Sequence, residues 1–154
     1  MSDQHQYEVN LRWDSERKGT LTSPVVPVPI EVATPPEFPK GMKDIWTPEH
    51  LLVAAVNACL LSTFLAIAEN SKVEFISFES NALGIIDKID GKLCFTEITL
   101  RPKVVLSSSH NEERVKRILE MSEKNCAISN SLKAKINLEP AIVIQEGKPA
   151  TQST

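Results

Sequence analysis

The chain has 154 residues, the size of one ordinary domain, and a single domain 1–154 is expected. Its 42% hydrophobic and 24% charged residues exclude an intrinsically disordered chain, and five glycines exclude a collagen-like or glycine-rich repeat. The formal charge of −3, from 17 Lys and Arg against 20 Asp and Glu, lacks the clustered basic surplus of a nucleic-acid footprint.

The first ten residues, MSDQHQYEVN, have no basic region leading into an apolar run, so no signal peptide is read there. Tyr7, Val9, Leu11 and Trp13 alternate with polar residues, the period of a strand. Asp14 to Gly19 is a polar turn, and Thr20 to Ser23 returns as its hairpin partner. Val28, Ile30 and Val32 alternate again, but Pro27 and Pro29 confine that strand to an edge. Thr34 to Asp44 is a loop. Thr47-Pro48 then starts a helix, with a hydroxyl cap followed by proline in the first turn, and the helix runs to about Asn70.

Within that helix, Leu51 to Ala68 is 18 residues without a charge, interrupted only by Asn57, Ser62 and Thr63. That reaches the lower bound for a membrane span, about 17 residues. Alanine richness and the absence of flanking basic clusters favour the buried centre of a soluble fold. Val73 to Ile86 forms a long strand, Asp90-Gly91 a tight turn, and Leu93 to Leu106 the partner strand, with Cys94, Thr96, Ile98 and Leu100 on its apolar face. Ser109 and Glu112 have capping-box spacing before the stripe Val115, Ile118, Leu119, Ser122, and Asn125 ends that helix. Ile136/Leu138 and Ala141 to Ile144 close the fold around Glu139-Pro140, and residues 146–154 form a disordered tail. The order defines an α+β class.

No nucleotide-binding, zinc-protease or nucleophile-elbow motif is present, and His5, His50 and His110 stand at no metal-ligand spacing from a cysteine, so neither metal nor cofactor is expected. Chemistry falls to the three cysteines. Cys94, on an apolar strand face, reads as core. Cys59 lies mid-way in the apolar helix, where a buried structural thiol is also a common finding. Cys126 precedes Ala127-Ile128-Ser129, whose first N–H groups would favour a thiolate. An odd, widely spaced cysteine set points to a reducing cytosol rather than a secreted disulfide framework.

The segment TPEHLLVAAVNACLLSTFLAIAE resembles the central helix of the OsmC/Ohr family, which begins P-E-x-L and reaches a reactive cysteine ten residues after the glutamate, as from Glu49 to Cys59. NCAISNSL is similar to the family's second cysteine segment, C-P-x-S, with Ala127 in the place of proline. The resemblance extends from about Tyr7 to Ile144. It implies an intertwined homodimer with active sites at the subunit interface and a thiol-dependent peroxidase that reduces organic hydroperoxides. It implies a Cys59–Cys126 disulfide reopened by an external dithiol, such as a lipoylated protein. The family's reactive arginine comes from the N-terminal hairpin, where Arg17 is the best match, ahead of Arg12 and Lys18.

The chemistry explains such a set. A thiolate attacks the O–O bond, and an ordinary cysteine, with pKa about 8.5, is mostly protonated at neutral pH. Burial raises that value further, so a positive partner is needed. Arg17 stays protonated in a dry site, and Glu49 can hold it through a bidentate pair. Trp46, Leu52 and Phe64 are candidates to line a mouth for organic peroxides, with plain core packing as the alternative. A second reading of the whole chain is a non-catalytic dimeric module that binds a small molecule. A papain-like hydrolase is more remote, since no histidine is placed beside a cysteine.

Overall fold

A computed structural model describes residues 4–145; the tail expected to be disordered lies outside the described residues. The chain gathers into two compact units, one running to Leu52 and the other starting at Val53.

The first unit is an antiparallel sheet of β1 (Asn10–Ser15), β2 (Lys18–Ser23) and β3 (Val26–Ala33), in that order. The proline-bearing strand is at an edge, as its missing N–H groups require. Register gives the sheet two unlike faces. Leu11 pairs with Leu21 and Leu21 with Ile30, while Trp13 pairs with Gly19 and Gly19 with Val32, so one face is apolar. The other carries Arg12, Thr20 and Glu31 in one row. The β1–β2 turn is tighter than the polar run DSERKG suggests: only Glu16 and Arg17 lie between the strands, and Glu16 takes φ 50°. Trp13 Nε1 donates to Glu16 O at 3.0 Å, and Thr34 N–H donates to Arg17 O at 3.1 Å, pinning the hairpin tip. Ala33 N–H donates to Trp46 O, which delivers the chain to α1 (Pro48–Asn70). The expected cap is made: Thr47 Oγ1 accepts the His50 N–H at 3.1 Å.

The second unit holds most of α1, the hairpin of β4 (Ser77–Ile89) and β5 (Lys92–Leu106), and then α2 (Glu112–Lys124), α3 (Ala127–Asn130), β6 (Lys135–Leu138) and β7 (Ala141–Ile144). β4 begins four residues later than expected, because Val73 is tied back to Ala68 O at the end of α1 and is buried there. Asp90 and Gly91, with φ 51° and 78°, make the two-residue hairpin turn. β6 and β7 pair in parallel with successive stretches of β5 on the edge away from β4. Val56, Leu60, Phe64 and Ala68, spaced four apart, press one stripe of α1 onto the sheet beside the expected α2 stripe of Val115, Ile118 and Leu119. The helix is therefore buried along one side only within its own chain, and Leu61 and Leu65 remain exposed. It is long and apolar enough to cross a membrane, yet that stripe is committed to the sheet. Gly84 lets the helix approach: a Cβ there would stand 2.6 Å from Val53 Cγ2 and 2.7 Å from the Phe95 ring.

Two expectations are corrected. Pairing passes from Ile85–Glu97 to Ile86–Phe95, leaving Thr96 as an extra residue. This bulge reverses the alternation. Phe95, not Cys94, shares the core face with Ile98, while Cys94 lies across from Asp87 on the other face and is half-buried. At the second helix, Ser108 rather than Ser109 supplies the cap, accepting the His110 N–H ahead of a 3-10 turn, Ser109–Asn111.

Candidate functional site

Cys59 sits one residue before Leu60 of the buried stripe, so its sulfur lies at the margin of the core, half-exposed. Each polar interruption of α1 makes a hydrogen bond within the fold, although Asn57 Oδ1 is buried without a partner among the described residues. Asn57 Nδ2 donates to Ser80 O at 2.9 Å and ties the helix to β4, and Ser62 Oγ donates to Ala58 O. Thr63, one turn beyond Cys59 on the same side, places its hydroxyl on the Cys59 sulfur.

Asn125 ends α2 as expected, its own N–H donating to Met121 O. Cys126 then caps the four-residue helix α3 and is 1% exposed. The chain reversal brings the Cys126 thiol within hydrogen-bonding reach of Cys59, and it aims the N–H groups of Ala127 and Ile128 at the same sulfur. Of the N–H groups expected to favour Cys126, those of Ala127 and Ile128 serve Cys59, and that of Ser129 serves Cys126.

The electrostatic result separates the two thiols. Burial pushes Cys59 up, but the Cys126 thiol, the Ile128 N–H, the Thr63 hydroxyl and the Ala127 N–H together outweigh it and hold Cys59 below the ordinary cysteine range. Burial, followed by the hydrogen bond with Cys59, pushes Cys126 up, against the hydroxyl and N–H of Ser129. A half-exposed thiol inclined to ionise thus adjoins a buried thiol inclined to stay protonated. The chemistry open to such a pair is nucleophilic attack by the first sulfur and disulfide formation with the second. Thr63 was missed from the sequence; its i+4 spacing from Cys59 was the available signal.

Arg17 and Glu49 belong to the first unit. Both line a cavity of about 510 Å³ with Leu11, Trp13, Val32 and Phe38. Glu49 Oε2 is buried without a partner, and no ion pair joins it to Arg17 among the described residues. The alternative cations are engaged elsewhere: Arg12 pairs with Asp14 at 3.1 Å and Lys18 with Glu31 at 3.5 Å, while Arg17 makes no ion pair among the described residues. Of the expected mouth residues, Phe64 is fully buried core stacked near Phe75 and Phe78, Leu52 is half-buried, and Trp46 is exposed, edge-on to His50.

A family model described as OsmC-like protein matches residues 41–141, well over half of the chain. The α+β fold and the two-cysteine site therefore have a family: this chain belongs to the OsmC-like proteins. Among its relatives is the uncharacterized protein YmaD of Bacillus subtilis, 25% identical over 144 residues that cover 90% of this chain and 93% of YmaD. An OsmC-like protein of unknown function from Vibrio cholerae superposes with a TM-score of 0.81 at 25% identity, covering 89% of this chain and 99% of that one. An organic hydroperoxide resistance protein from Elizabethkingia anophelis shares the fold, with a TM-score of 0.74 at 20% identity over 94% of this chain and 100% of that one.

Proposed function

We propose that this protein is a cysteine-based peroxidase that reduces organic hydroperoxides. One observation carries the reading: Cys59 and Cys126 lie within hydrogen-bonding reach, with the accessible thiol lowered and the buried thiol raised. The Cys59 thiolate attacks the terminal peroxide oxygen, the O–O bond breaks, and the alkoxide leaves as an alcohol after taking up a proton. Cys59 is oxidised to a sulfenic acid and the peroxide is reduced. The Cys126 sulfur then displaces the sulfenic hydroxyl as water and forms the disulfide, which keeps Cys59 from further, irreversible oxidation. An external dithiol such as a lipoylated protein reopens it. The organic hydroperoxide resistance protein of Elizabethkingia anophelis, which shares the fold, agrees in name with this chemistry.

Arg17 supplies the cationic partner of the site, and Glu49 holds it. An unpartnered buried carboxylate oxygen is costly, and a guanidinium that lines the same cavity is the natural group to satisfy it. The functional unit is a cytoplasmic homodimer whose sites form at the subunit interface.

The test is addition of one equivalent of an organic hydroperoxide to the reduced protein, followed by peptide mapping. Loss of the peroxide with a Cys59–Cys126 link and a free Cys94 is the expected result. An unconsumed peroxide with all three thiols intact would instead support the non-catalytic binding module.

A further inference from the structure

We infer that Ser129 activates the resolving thiol: its hydroxyl donates a hydrogen bond to the Cys126 sulfur as that sulfur attacks the oxidised Cys59. The inference rests on the peroxidase reading and deepens its second step. Ser129 is 6% exposed, and its Oγ is fully buried with no hydrogen-bond partner among the described residues. Every other side-chain hydroxyl or amide of this turn is satisfied by the backbone: Asn130 Nδ2 donates to Lys124 O at 3.1 Å, and Ser131 Oγ donates to Ala127 O at 2.8 Å. The turn itself is closed by Asn130 N–H to Cys126 O and Leu132 N–H to Ser129 O. Ser129 stands three residues after Cys126, the cap of this turn, a spacing that directs its side chain back to the cap residue. A buried hydroxyl without a partner is unfavourable, and the acceptor within its reach is Cys126 Sγ.

The arrangement answers a need of the second step. Cys126 is buried and held above the ordinary cysteine range, the wrong direction for a nucleophile. In resolution the Cys126 S–H proton leaves with the sulfenic hydroxyl as water, the S–O bond of Cys59 breaks, and the S–S bond forms. Negative charge develops on Cys126 Sγ along that path, and a hydroxyl donor is worth more to the thiolate than to the thiol.

The experiment compares wild type, Ser129→Ala and Ser129→Thr across pH. Two rates are read after a pulse of cumene hydroperoxide: appearance of the sulfenic acid, captured by dimedone, and formation of the Cys59–Cys126 disulfide. The expected result is an unchanged first rate in Ser129→Ala, with disulfide formation slowed about tenfold. Its pH midpoint should move upward, and Ser129→Thr should restore both rate and midpoint. Wild-type disulfide kinetics in Ser129→Ala would overturn the inference and leave the peroxidase reading standing. So would a slower step with an unmoved pH midpoint, which marks a merely structural role. Failure of the wild type to form the disulfide removes the peroxidase reading and this inference together.

Discussion

At Cys59 two effects of opposite sign meet on one sulfur atom. Desolvation favours the neutral thiol, while four hydrogen-bonding groups of the same unit favour the thiolate and prevail. A lowered pKa means that the thiolate persists as pH falls. Alkylation of Cys59 should therefore have its midpoint below that of an ordinary cysteine, and that of Cys126 should lie above it. Mass spectrometry of iodoacetamide-treated protein across pH separates the two, and the reverse order would sink the assignment of roles. Thr63→Val keeps the shape of the side chain and removes one donor, so it should raise the Cys59 midpoint with little change in Cys126. Arg17→Ala tests the remaining charge: if the guanidinium reaches the thiolate in the assembled protein, its loss moves the midpoint up, by about 1.4 kcal/mol for each pKa unit. Arg17→Lys should rescue little, because an ammonium lacks the planar fork needed to hold carboxylate and thiolate together.

At the scale of the elements, close approach is the controlling feature where α1 crosses β4. Gly84→Ala would drive a methyl group into Val53 and the Phe95 ring, neither of which has a flexible end to give way. It should cost about 1–3 kcal/mol in chemical denaturation. Thr47→Ala, which deletes the α1 cap, should cost about 1 kcal/mol. Three features were legible because their signals are local: Thr47-Pro48 is a cap with a proline beside it, Asp90-Gly91 demands positive φ, and the α2 stripe repeats at helical spacing. The Thr96 bulge was not legible, because alternation along one strand carries no sign of an extra residue in the pairing, and Cys94 changed faces for that reason. The site divides the same way. Cys59 and Cys126, which the second unit brings together, were legible through the family resemblance. The direction in which Ala127, Ile128 and Ser129 point is fixed by how a short turn packs against α1, which no local pattern encodes.

At the scale of the whole molecule, the first unit leaves its apolar face uncovered. Leu11 and Trp13 are 68% and 73% exposed, and Val28 and Ile30 continue the same apolar surface on β3. Scattered apolar residues are ordinary at a protein surface, but a contiguous apolar sheet face marks an interaction surface. A cavity of about 710 Å³ lined by Tyr7, Val9, Leu21, Val26, Val28 and Ile30 deepens that face, and the outward residues Leu61 and Leu65 of α1 add a second apolar patch. A second copy of the chain would cover such surfaces in the proposed dimer. Sedimentation equilibrium should thus give twice the 17.1 kDa chain mass. Ile30→Asp, which sets a charge in the Leu11–Leu21–Ile30 row, should shift the protein toward monomer and lower hydroperoxide turnover in step with dimer content. Turnover that survives undiminished in a demonstrated monomer would show that one chain carries a complete site.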